Sequence, residues 1–129
     1  MRQNRLALMT LSLLFIIGIA YSQEKLDLTG TWEGSTFAEG AGFALVFTLV
    51  LEHKDDAITG KLSDDMGYID SEITEVKLEG DVLTFEAIAM APDGNLTMLF
   101  TLKCSDEELK GEWDAEGEAF GEWTATKTP

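Results

Sequence analysis

Phe43-Ala44-Leu45-Val46-Phe47-Thr48-Leu49-Val50-Leu51-Glu52-His53 decides the fold class. Phe43, Leu45, Phe47, Leu49 and Leu51 occupy every second position, with Ala44, Val46, Thr48, Val50 and Glu52 between them. Strand side chains alternate between two faces, so this period makes a strand with one wholly apolar face. Such a face needs a covered interior. Glu39-Gly40-Ala41-Gly42 bounds the run on one side and Lys54-Asp55-Asp56 on the other, and both read as turns.

Outward from this run the pattern repeats. Turn-forming residues recur at the spacing of an all-β domain. They leave strands at about residues 30–37, 57–63, 82–90, 96–104, 108–114 and 120–126 beside the central 43–53. Residues 69–79 form the least regular segment: Val76 and Leu78 keep phase and Ile73 falls out of it, so a bulge or a short helix fits there. Counting that segment gives eight strands, joined by short connections. Short connections pair sequence neighbours as hairpins. A meander of this length removes its free edges by closing on itself. The expected fold is all-β: an antiparallel, eight-stranded, up-and-down β-barrel. A two-sheet sandwich is the rival.

All three tryptophans share one frame: Gly30-Thr31-Trp32, Gly111-Glu112-Trp113 and Gly121-Glu122-Trp123. Residues two apart share a strand face, and a glycine beside an indole lets another backbone come close. In a closed meander the first strand and the last two are neighbours, which gathers the three indoles on one wall. Leu28-Thr29-Gly30-Thr31-Trp32, Ile58-Thr59-Gly60-Lys61-Leu62 and Leu109-Lys110-Gly111-Glu112-Trp113 echo one another, as one barrel-corner device used three times.

Leu28-Thr29-Gly30-Thr31-Trp32 opening a short eight-stranded meander, with Gly121-Glu122-Trp123 closing it, resembles the calycins, above all the small lipocalin-like barrels that bacteria export. The resemblance covers about residues 28–127. It implies a barrel whose interior holds a small apolar molecule, and it names no ligand. The chain departs from lipocalins in its shortness. It also lacks their C-terminal helix, their disulfide and the later arginine that stacks on the first-strand tryptophan. The opening looks like an avidin too, but the inward polar ring that biotin needs is missing.

Residues 1–22 read as a signal peptide. Arg2 and Arg5 form a basic start, Leu6 to Ala20 is apolar, and Ala20-Tyr21-Ser22 offers the small residues of a cleavage site. That apolar run of about 15 residues is short of the roughly 20 that cross a bilayer. Residues 23–129 then form one domain in an exported protein, secreted or periplasmic, with no stable membrane insertion after cleavage. The whole chain carries −15, and losing Arg2 and Arg5 with the leader takes it two units further, to −17. So acidic a surface repels nucleic acid and anionic membranes. The single cysteine, Cys104, continues the apolar alternation of Leu96, Met98, Phe100 and Leu102, and reads as a small buried residue.

The inward aromatic and sulfur side chains are the candidate ligand-binding residues: Trp32, Phe43, Phe47, Phe85, Met98, Phe100, Trp113 and Trp123. An eight-stranded interior is just wide enough to be packed solid or to hold one small ligand, and both states stay open here. None of these residues titrates, so no catalytic residue is assigned and no enzyme activity is expected. No metal site is assigned either. His53 stands alone at a turn, and the acidic clusters around Gly67 and Gly117 miss the calcium-loop spacing. No cofactor is implied. The first expectation is a non-enzymatic binding module for a small apolar molecule. The alternative is a filled barrel acting as a structural or protein-interaction domain. Val46, Val50, Ile88 and Leu99 would form its outer patch, with a homodimer as one form.

Overall fold

The computed structural model describes residues 26–129; the leader assigned to residues 1–22 lies outside them. The chain forms nine strands: β1 (Gly30–Ala38), β2 (Phe43–Lys54), β3 (Ala57–Asp64), β4 (Asp70–Glu72), β5 (Thr74–Glu79), β6 (Val82–Ala91), β7 (Gly94–Cys104), β8 (Glu108–Ala115) and β9 (Ala119–Lys127). They make one antiparallel sheet in the order β4-β3-β2-β1-β9-β8-β7-β6-β5. The two ends of this order meet. Ile69 bridges Ala89, Met90 N donates to Tyr68 O at 2.8 Å, and Ile88 N donates to Ser71 Oγ at 3.0 Å. The result is a nearly closed barrel, and the two-sheet sandwich is excluded. No helix among the described residues is long and apolar enough to cross a membrane.

The expected count of eight strands is corrected to nine, because residues 69–79 hold two strands. The out-of-phase Ile73 is the break. It is buried, and its N–H donates to Gly60 O at 3.0 Å. Before it, β4 pairs with β3 through Lys61–Glu72, Leu62–Ser71 and Ser63–Asp70. After it, β5 pairs with β6, and the register shifts between Thr74 and Lys77. Glu75 there has φ of 52°, a left-handed backbone that marks the bulge. One segment must leave one neighbour and join another to close the sheet, and it does so by bending. A helix there does not form.

The first strand and the last two are adjacent: Thr36 pairs with Trp123 across β1 and β9, and Gly111 pairs with Trp123 across β8 and β9. Glycine brings backbones together at this wall. A Cβ on Gly111 would stand 1.9 Å from Thr101 O, and one on Gly121 would stand 2.4 Å from Phe37 O. Gly30 differs, for its neighbour is a side chain. There the Lys127 stem lies 2.6 Å from where a Cβ would stand, and its ammonium sits 5.6 Å from the centre of the Trp32 ring.

Candidate functional site

Six of the eight candidate ligand residues come together at the barrel centre. The Phe47 ring, on β2, lies 5.8 Å from Phe100, 5.4 Å from Trp113 and 5.6 Å from Trp123. Phe100 stacks on Phe85 at 4.7 Å and meets Trp123 edge-on at 5.9 Å. Met98 is buried one inward position from Phe100 on β7. β2 and β7 stand four places apart in the sheet order, on opposite walls. Rings from opposite walls therefore touch, at the centroid spacings of favourable aromatic pairs, and they fill the centre. Trp32 and Phe43 do not belong to this cluster. Trp32 lies toward one end, where its indole N–H donates to Leu28 O at 3.0 Å. Phe43 is half-buried toward the other end, 5.5 Å from the Tyr68 ring.

The indoles are held by hydrogen bonds that the sequence reading did not anticipate. Trp123 donates to Gly34 O at 2.8 Å, and Trp113 donates to Thr36 Oγ1 at 2.9 Å. Thr36 is the one buried polar side chain among the described residues, and its hydroxyl donates in turn to Glu122 O. Each buried polar atom thus finds a partner, which is what a dry centre demands. The signal in the sequence is the inward face of β1. After Trp32 it holds only Gly34, Thr36 and Ala38, small residues that leave room for two indoles from neighbouring strands.

Space exists at the barrel end where Leu26-Asp27-Leu28 leads into β1. A recess of about 780 Å³ opens there. Leu26, Leu78 and Cys104 supply its apolar surface. The β2–β3, β5–β6 and β7–β8 turns add Asp55, Asp56, Asp81 and Asp106 around it. His53 also lines it, and it is not the solvated turn residue that its position suggests. It is half-buried, its Nδ1 accepts the Leu28 N–H at 3.2 Å, and its backbone N–H donates to Thr29 Oγ1 at 3.0 Å. With Nδ1 accepting, a neutral ring carries its proton on Nε2. The histidine thereby pins the lead-in at Leu28, whose carbonyl accepts the Trp32 N–H.

Cys104 is buried as its phase implies, and burial pushes its thiol up to about 11, which keeps it protonated and unreactive near neutral pH. The acidic clusters serve the backbone. Asp64 accepts the N–H groups of Met66 and Ile69, and Asp65 accepts that of Val46 at 2.9 Å. Glu116 accepts the Thr97 N–H at 2.7 Å, and Asp114 that of Gly117. No titratable side chain is buried among the aromatic rings of the centre. Val46, Val50, Ile88 and Leu99 do face outward, but they form no single patch. Ile88 and Leu99 lie diagonally across β6 and β7, whereas Val46 and Val50 lie on β2, across the barrel. No family model matches the chain, and a search of curated proteins found no match.

Proposed function

We propose that this protein is an exported, non-enzymatic binding module of calycin-like type, which takes a small molecule with an apolar body at the open mouth of its barrel. One observation carries the reading: a recess of about 780 Å³ with Leu26, Leu78 and Cys104 in its lining sits at the mouth, while the centre is already filled by aromatic rings. A packed centre gives the mouth a rigid floor, and preorganisation of that kind lowers the cost of binding. The binding residues move accordingly, from the central rings to Leu26, Leu78 and Cys104, with Trp32 beneath the lead-in. Support for the calycin likeness comes from Lys127. Its ammonium lies over the Trp32 ring, a cation where lipocalins place their arginine.

Native mass spectrometry of protein purified from its own host tests the reading, together with tryptophan emission under titration by an apolar fluorescent probe. The expected result is one bound small molecule and an emission change that Trp32→Phe removes and Trp113→Phe keeps. Absence of any bound mass and of any emission change contradicts it.

A second reading has a specific observation behind it: Phe37 and Phe120 are 55% and 43% exposed and lie near each other on the outer face of β1 and β9. A filled barrel that works through its outside would use such rings against a partner or a second copy. Light scattering after size exclusion decides between the two. A dimer broken by Phe37→Ser with Phe120→Ser favours the second reading, and a strict monomer removes its homodimer form.

A further inference from the structure

The mouth recess does not stop at Leu78. A second hollow, of about 330 Å³, adjoins it between Ile58 of β3 and Val76 of β5. His53, Asp56 and Leu78 line both, so the two adjoin and together make a trough along these side chains. The broken strand is its cause. β4 holds β3 only across Lys61, Leu62 and Ser63, and β5 belongs to β6. Among the described residues no ladder joins β3 to β5, and the barrel wall is open between them. The trough therefore runs sideways from the mouth into this gap. Its apolar lining is almost wholly aliphatic, from Leu26 and Cys104 past Leu78 to Ile58 and Val76. A flexible hydrocarbon chain matches such a surface better than a flat ring does.

The rim has one sign of charge. Of the nearby lysines, Lys54 pairs with Glu52 at 3.0 Å, Lys103 reaches Asp81 at 3.9 Å, and Lys127 lies over the Trp32 ring. Asp55, Asp56 and Asp106 have no ion-pair partner among the described residues. Carboxylates round a concave opening with apolar walls focus their field into it. They attract a cationic head and repel the carboxylate of a fatty acid.

We propose that the trough binds an elongated amphiphile with a cationic head, its aliphatic tail laid over Leu78 into the gap between β3 and β5. The head sits among Asp55, Asp56 and Asp106. The proposal rests on the reading of the mouth as the binding site and adds the shape and charge of what binds there.

Three probes with one tail and different heads test it: dodecylammonium, dodecanol and dodecanoate, each titrated calorimetrically below its micelle concentration. The titrations use the chain from Gln23 at about 0.15 M salt, where distant charges are screened. The expected result is one-to-one binding, with dodecylammonium about tenfold tighter than dodecanol and dodecanoate weakest, since each rim carboxylate adds only a modest attraction. The triple variant D55N/D56N/D106N is expected to bring dodecylammonium within about twofold of dodecanol, dodecanol itself being unchanged. The control E33Q/E112Q/E122Q removes as much charge from the far wall, and the ammonium preference is expected to survive it. Equal binding of all three probes overturns the charge selection and leaves the mouth reading standing. Equal loss of preference in the two triple variants overturns the rim, since overall acidity would then explain it. Binding of none of the probes, with Trp32 emission unmoved, overturns both.

Discussion

The barrel has two unlike sides. On one, β1 and β2, β8 and β9, and β7 and β8 pair over long registers, glycines press backbone against backbone, and the Trp113 and Trp123 N–H groups are bonded across to β1. On the other, β3 and β6 share a strand broken in two, and aliphatic Ile58, Val76 and Leu78 are only half-buried along the gap. The difference is one of side-chain payload. Aromatic rings from β2, β7, β8 and β9, met by Phe85 of β6, fill the centre, whereas the gap between β3 and β5 is lined by aliphatic side chains. Stability belongs to the tryptophan wall, and access belongs to the broken one.

Truncation on each side should break or confirm this division most strongly. Phe47→Ala removes the ring that meets three others, and should cost about 3–5 kcal/mol in urea unfolding, much of what a domain of this size has. Val76→Ala, in the gap, should cost about 1 kcal/mol, since its side chain is only half-buried. Equal costs would mean that the two sides share the load. Glycine substitutions sharpen the contrast at smaller scale. Gly111→Ala places a methyl against Thr101 O and should cost about 1–3 kcal/mol. Gly42→Ala meets open space, so only its φ of 83° resists, with a cost of roughly 1–2 kcal/mol. A milder effect at Gly111 than at Gly42 would show that the close approach is not what matters.

The smallest effect belongs to the lead-in. The Thr29 backbone N–H, with the Thr29 side chain next, holds the Asp27 carboxyl below its ordinary value of 3.8. A depressed folded pKa means stability that is present above the unfolded value and lost as pH falls through the folded one. Asp27→Asn should therefore lower stability slightly at neutral pH and remove a small part of the acid-side loss below about pH 4, so that the two proteins converge in acid. The melting temperature against pH, compared between the two proteins, checks this.

The period-two alternation of residues 43–53 is enough to specify the strand, and the Gly-x-Trp frames mark the three adjacent strands that carry the indoles. Both are local patterns. The break at Ile73 was visible only as a residue out of phase, because its reason is closure between two distant neighbours. Thr36 carries no signal of its own in the sequence, because threonine is ordinary in strands and its partner Trp113 lies 77 residues away. The mouth was illegible for the same reason. It is assembled from a lead-in and three charged turns, each of which reads alone as punctuation. His53 stands at a strand end beside a charged turn, and only the fold brings Leu28, 25 residues earlier, within reach of its ring.

The three indole N–H groups offer the most direct test, since each has its own partner: Leu28 O, Thr36 Oγ1 and Gly34 O. Their nitrogen–proton correlation signals, followed by NMR while dodecylammonium is added, report separately on the mouth and the centre. A filled barrel that binds at its mouth moves the Trp32 signal and leaves those of Trp113 and Trp123 in place. Movement of the Trp113 and Trp123 signals with Trp32 unmoved would put the ligand in the centre and contradict the account.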